Sequence, residues 1–87
     1  MTTVFIPPQF RSFANGTESI DVEAGSVRQA IERLDEQFPG IAGHLCQGDD
    51  LRPGLSVSIS GRVSGLGLFQ KVATDDEIHF LPAIGGG

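Results

Sequence analysis

From Leu55 to Ser60 apolar and hydroxyl side chains alternate without a break, as Leu-Ser-Val-Ser-Ile-Ser. That period of two places one face of a β-strand on a core and the other towards water. Glu77 to Leu81 alternates in the same way, with Ile78 and Phe80 on one face. Thr17 to Val22 does so more weakly through Ile20 and Val22, just after the turn signal Asn15-Gly16. Val4-Phe5-Ile6 is a β-branched and aromatic run stopped by Pro7-Pro8, and reads as a first strand antiparallel to the second. The segment between them, Gln9 to Ala14, is longer than a tight hairpin, and Phe10 and Phe13 are expected to tuck it against the core. Val63 to Val72 is broken by glycines and reads as a short edge strand plus a loop.

One stretch carries the helical period. Val27, Ala30, Ile31, Leu34 and Phe38 fall at i, i+3, i+4, i+7 and i+11, while Arg28, Glu32, Arg33 and Glu36 lie off that stripe. Ser26 followed by Gln29 forms a capping box at its start. Pro39-Gly40 ends it, because proline disfavours helix in the residue before it. Ile41, Ala42 and Leu45 suit a further short turn.

The order is therefore strand, strand, helix, strand, weak strand, strand. Two hairpin-like halves flank one helix, which supplies the crossover that a parallel pairing needs. The predicted fold class is α+β: a β-grasp, or ubiquitin-like, domain with a mixed four- to five-stranded sheet packed on one main helix. Residues 1–81 form the domain and 82–87 a flexible C-terminal glycine tail. The layout hosts carriers, modifiers, ferredoxins and adaptors alike, so it does not by itself assign a function.

Composition narrows the choice. Cys46 is the only cysteine, which excludes an internal disulfide, a four-cysteine metal site and the ferredoxin option. A net charge of −5 argues against nucleic acid and for a protein partner with a basic patch. No apolar run approaches the roughly 18 residues of a membrane span, and no signal peptide is evident, so cytoplasmic residence is expected.

Candidate chemistry within the domain is sparse. His44 and Cys46, with Asp49 and Asp50 nearby, match no established metal-ligand spacing and read as a surface loop with a semi-buried thiol. His79 lacks a nucleophile or paired carboxylate at a suggestive spacing and reads as a solvent-facing strand residue. Gly61 to Gly67 lacks the Lys-Ser/Thr ending of a phosphate loop. Glu18, Asp21, Glu23, Asp35 and Glu36 read as scattered solvated charges.

The ending is different. The last three of the 12 glycines, Gly85, Gly86 and Gly87, close the sequence. Without Cβ atoms, such a tail threads a channel too narrow for side chains. Extended from Pro82 to Gly87 it reaches about 20 Å, at roughly 3.3–3.6 Å per residue. It delivers a carboxylate that becomes an electrophile only once activated, for instance as an acyl-adenylate. The alternative is an inert, frayed terminus.

The ending Asp75-Asp-Glu-Ile-His-Phe-Leu-Pro-Ala-Ile-Gly-Gly-Gly87 resembles the closing signature of the MoaD/ThiS family of small β-grasp sulfur carriers. The opening Val4-Phe-Ile-Pro-Pro-Gln-Phe-Arg11, the capped helix from Ser26 and the alternating strand Leu55–Ser60 extend the resemblance over nearly the whole chain. It looks closest to the CysO-like carriers of cysteine synthesis.

The resemblance implies a co-substrate, not an enzyme. It implies that Gly87 is adenylated by an E1-like adenylyltransferase/sulfurtransferase and converted to a thiocarboxylate, with Gly85 and Gly86 threading the tail. ATP is used by that partner, and no cofactor is bound by the chain. The sulfur then passes to an acceptor in a cysteine synthase-like enzyme or the molybdopterin synthase large subunit. Gly85 stands where relatives often carry alanine or serine, and Ser60-Gly61 where they often carry Asn-Gly. A register shifted by one residue implies trimming before activation. A ubiquitin-like modifier conjugated to lysines through the same terminus is the alternative, and an inert-tailed interaction domain a third.

Strand parity adds a surface. With Val4, Ile6, Val57, Ile59, Ile78 and Phe80 facing the helix, Phe5, His79 and Leu81 face outward among the serines. Phe5, Leu81 and Pro82 are the expected partner-docking residues, because clustered exposed apolar groups mark interfaces.

Overall fold

The computed structural model describes residues 1–82. Strand β1 (Thr2–Phe5) is followed by a 3₁₀ helix, Pro8–Ala14, and by β2 (Ser19–Val22), antiparallel to β1. Helix α1 (Val27–Gln37) and the single turn α2 (Ala42–Leu45) come next. A small hairpin of β3 (Cys46–Gln47) and β4 (Asp50–Leu51) leads to β5 (Leu55–Ile59), β6 (Arg62–Ser64) and β7 (Glu77–Pro82). The main sheet has the order β2-β1-β7-β5-β6, with β7 parallel to β1 and antiparallel to β5. This is the expected mixed sheet on one main helix, with five strands.

The core forms where the inward parity of the sheet meets the stripe of α1. Val4, Val57 and Ile78 are fully buried, as are Val27, Ala30 and Leu34 of the helix. Ser26 Oγ accepts from the Gln29 amide at 3.2 Å, as a cap should. Gln29 does not close the box on Ser26, because its side chain accepts from the Gly25 amide at 2.8 Å. The Ser26 region is engaged instead by a backbone bridge to Lys71, flanked by Val27 N–H donating to Gln70 O.

Three local readings change. Phe13 is 48% exposed, and Ala14 takes the buried place in the 3₁₀ helix. A turn of three residues puts Phe10 and Phe13 on one side, where Phe10 reaches the core and Phe13 lies over His44. Asp35 is not an idle surface charge, since Oδ1 accepts from the Gly40 and Ala42 amides at 2.9 and 3.1 Å and so holds α2 against the end of α1. Pro82, expected to begin the tail, ends β7 opposite Leu55. The paired positions of β1 stop at His79, so the last turn of β7 has β5 as its sole mapped neighbour, and a missing N–H is tolerated there.

Candidate functional site: the tail exit and the outer sheet face

The tail leaves from the middle of the sheet, not from its edge. β7 runs between β1 and β5, paired on both sides as far as His79 and with β5 alone from Phe80 to Pro82, and this pairing fixes the direction in which the chain reaches Pro82. The ends of β1 and β7 that follow Phe5 and Leu81, and the start of β5 at Leu55, lie at this same end of the sheet. Gly85, Gly86 and Gly87 lie outside the described residues.

The outer face carries a row set by register. Ser19, Phe5, His79, Ser58 and Val63 are successive cross-strand partners over all five strands. Phe5 and His79 stack, with ring centroids 4.2 Å apart and planes 11° from parallel. Both are half-buried, so His79 is less open to solvent than a lone strand histidine. Ser58, expected to face water, is buried between His79 and Val63. Leu81 is half-buried opposite Ser56, while Pro82 is exposed. Ser56, Val63, Leu81 and Pro82 line a shallow cavity of about 180 Å³ at the base of the tail. Thus Leu81 and Pro82 meet in one place, with Val63 as a neighbour that parity alone does not reveal. Phe5 belongs to the same face, two strand positions back.

The far end of this face is locked by a tight hairpin. Ile59 pairs with Arg62, and Ser60 and Gly61 between them have φ of 48° and 92°. Positive φ at both central residues is the turn whose twist matches the strands. Serine tolerates it here because its hydroxyl donates to Asp76 Oδ1 at 2.9 Å and accepts from the Glu77 amide at 3.2 Å. Asp76 also accepts from the Ala73 amide at 2.7 Å. These bonds, that to the Ala73 backbone first, hold its carboxyl below the usual carboxylate range.

The residues around Cys46 serve the fold. His44 packs on Phe13 at 4.2 Å between ring centroids, and Asp49 pairs with Arg28 at 2.9 Å. Burial pushes the Cys46 thiol up; Arg28 opposes the shift and Asp35 adds to it. A thiol so disfavoured as thiolate is a poor nucleophile. Among the described residues, no group of three His, Cys, Asp or Glu side chains is placed to hold a metal. No helix among them is long and apolar enough to cross a membrane.

The ThiS family model matches residues 4–87, which includes the sheet from Val4 onward, the helix and the closing glycines. The chain belongs to the ThiS family. This is the ubiquitin-like sulfur-carrier group that the ending resembles. Among solved structures, a chain of the Amycolatopsis orientalis BexX/CysO complex is 28% identical, with full coverage of both chains and a TM-score of 0.87. Mycobacterium tuberculosis CysO shares the fold at a TM-score of 0.85 and 22% identity, over 97% of this chain and 100% of that one. SAMP1 from Haloferax volcanii does so at 0.71 and 21%, over 99% and 98%. No curated protein matches the sequence. In this ThiS-family chain, the domain is therefore the β-grasp expected from its sequence pattern, and the outer face and tail exit are its candidate working surface.

Proposed function

We propose that this protein carries sulfur on the carboxyl group of Gly87. A carboxylate oxygen attacks the α-phosphorus of ATP within an E1-like activating enzyme, and pyrophosphate leaves. Hydrosulfide, or its enzyme-bound equivalent, then attacks the acyl carbon of the adenylate. AMP departs, a proton is lost, and a thiocarboxylate remains. That group donates its sulfur to an acceptor held by a second enzyme, in the synthesis of cysteine, the molybdenum cofactor or a related sulfur compound. The protein is a co-substrate in these steps, and ATP belongs to the activating partner.

The observation that carries this reading is the family match, which runs through the closing glycines to residue 87. The arrangement of the sheet is consistent with it. A tail emerging from a central strand is aimed by the pairing of β7 with β5 out to Pro82, and its glycines offer no side chain to obstruct a narrow channel. Phe5, Leu81 and Pro82 then face the activating enzyme around the tail's base.

The test is intact mass after incubation with an E1-like activating enzyme, ATP and sulfide. A gain equal to the difference between sulfur and oxygen, lost again on alkaline hydrolysis, is expected. Likeness to SAMP1, a small archaeal modifier protein, leaves conjugation to lysine as the second reading. Isopeptide-linked adducts in place of the thiocarboxylate would favour it. Absence of both adenylate and thiocarboxylate with every such enzyme tried would sink the carrier assignment.

A further inference from the structure

The turn pair Asn15-Gly16 carries a chemistry of its own. Asn15 is the only asparagine in the chain, and no aspartate precedes a glycine. The residue after it has no Cβ to shield its backbone nitrogen. In such a pair the Gly16 nitrogen can attack Asn15 Cγ. The C–N bond to the side-chain amide breaks, the Gly16 N–H proton is lost, and the amide leaves as ammonia, so that a five-membered succinimide closes. Water then opens the ring at one of its two carbonyls. The products are aspartate or isoaspartate, in which Cβ becomes part of the main chain. Water is the only co-reactant, and both residues are exposed to it.

The fold opposes this ring closure. Asn15 caps the 3₁₀ helix Pro8–Ala14 with φ of 55° and ψ of 35°, and Gly16 follows at φ of 80°. Closure needs the Gly16 nitrogen to eclipse Cβ, which tetrahedral geometry at Cα puts at a ψ of about 120° in magnitude. Asn15 is far from that value. Gly16 N–H also donates to Arg11 O at 2.8 Å, a bond forfeited when the proton is lost. Thr17 N–H donates to Ala14 O at 2.9 Å, so rotation at Asn15 breaks a second bond. Both flanks are tied down. Arg11 Nε donates to Ile6 O at 3.2 Å, Ile6 N–H donates to Glu18 O at 2.8 Å, and Ala14 is fully buried.

From this we infer that Asn15 is a deamidation site, held off in the folded domain by the cap of the 3₁₀ helix and released whenever Pro8–Ala14 opens. The inference lies outside the carrier reading and does not depend on it. Either product adds one negative charge to a chain of net charge −5. Isoaspartate also lengthens the main chain by one methylene, so the Gly16 and Thr17 amides lose their register with Arg11 and Ala14. The same segment carries Phe10 against the core and Phe13 over His44, and that packing loosens with the cap. The modified fraction therefore records the time that this segment has spent open.

The experiment follows deamidation of the full-length protein in neutral buffer, folded and in urea, beside a peptide of residues 11–18. Intact mass reads the replacement of NH2 by OH. Peptide mapping separates Asn15 from Gln47-Gly48, whose larger ring closes more slowly. An isoaspartyl methyltransferase with a labelled methyl donor counts the isoaspartate. Hydrogen exchange of the Gly16 amide in the same buffer gives the opening equilibrium independently. The peptide and the urea-unfolded chain should convert at similar rates. The folded protein should be slower by about tenfold or more, as two hydrogen bonds must be released. Its retardation should also be at least the protection factor of the Gly16 amide, because closure needs the same release and the rotation of ψ besides. Conversion of the folded protein at the peptide's rate would overturn the proposal, as would a retardation smaller than the Gly16 protection. No conversion at Asn15 in any of the three samples would remove the site itself.

Discussion

Phe5 of β1 and His79 of β7 are direct partners in the parallel pair of the sheet, and their rings stack at 4.2 Å and 11°. The stack stands on the outer face, with the core untouched beneath it: Val4 and Ile78, one residue before each, are fully buried. Replacing Phe5 and Leu81 together by Ser therefore removes outer-face apolar surface without opening the core. Loss of the ring pair costs about 0.5–1.5 kcal/mol beyond its area. The melting temperature should fall by several degrees, at about 4–8 °C per kcal/mol for a domain of this size. The double variant should remain folded yet show a raised KM in adenylation. An unchanged activation rate would remove Phe5 and Leu81 from the docking surface.

Asp35 offers a second test, directed at stability. Its carboxylate joins α1 to α2 by accepting from Gly40 and Ala42. Asp35→Ala strands both amides, one of them partly buried, at a cost of about 1–2 kcal/mol. Leu34→Ala, at a fully buried position on the same helix, should cost more, about 2–5 kcal/mol. Urea midpoints of the two variants, measured against wild type, check both the size and the order. A neutral Asp35→Ala would make the two bonds incidental.

The contrast between these neighbours shows where the sequence was readable. Leu34 sits on a stripe whose period is audible over three turns, and the alternation at Leu55–Ile59 equally announces a half-buried strand. Asp35 has no such signature, because its partners lie beyond the helix stop and meet it only after α2 has folded back. The two-residue strands β3 and β4 are too short for any period to register. The apolar residues of the β6 segment were in plain view, but glycines at 65 and 67 erase the alternation that would tell inward from outward. Only the register, Ser58 against Val63, assigns that side chain to the outer face. At the tail the balance reverses: the glycines and the family ending were legible in sequence, and Gly85 to Gly87 lie outside the described residues.

Asp76 gives a pH dependence whose sign is determined. Its folded-state pKa is lowered by the Ala73 amide and by the Ser60 hydroxyl. The folded protein thus prefers the ionised carboxylate more than the unfolded chain does. This contribution is fully present above the ordinary carboxylate range and is lost as pH falls through the lowered folded value. Asp76→Asn should therefore narrow the stability gap between neutral and acid pH, and leave the variant closest to wild type at the acid end. Guanidinium midpoints across that range provide the measurement. Parallel wild-type and variant profiles would remove Asp76 as the source.

Removal of Gly87 separates the working terminus from the domain that presents it. The core lies between the inner face of the main sheet and α1, and the last described residue, Pro82, is already exposed. Deleting Gly87 should therefore leave the melting temperature unchanged. The effect on activation should be complete, because the shortened tail sets its carboxylate back by about 3.3–3.6 Å, more than a nucleophile in line with the α-phosphorus can absorb. Cys46 supplies the internal control for where sulfur is gained. Burial disfavours its thiolate, so even with a polysulfide added as a sulfane-sulfur donor it should not form a persulfide, and Cys46→Ser should carry sulfur as well as wild type. Sulfur incorporation that survives loss of Gly87 and vanishes in Cys46→Ser would move the carrier site from the tail to the thiol.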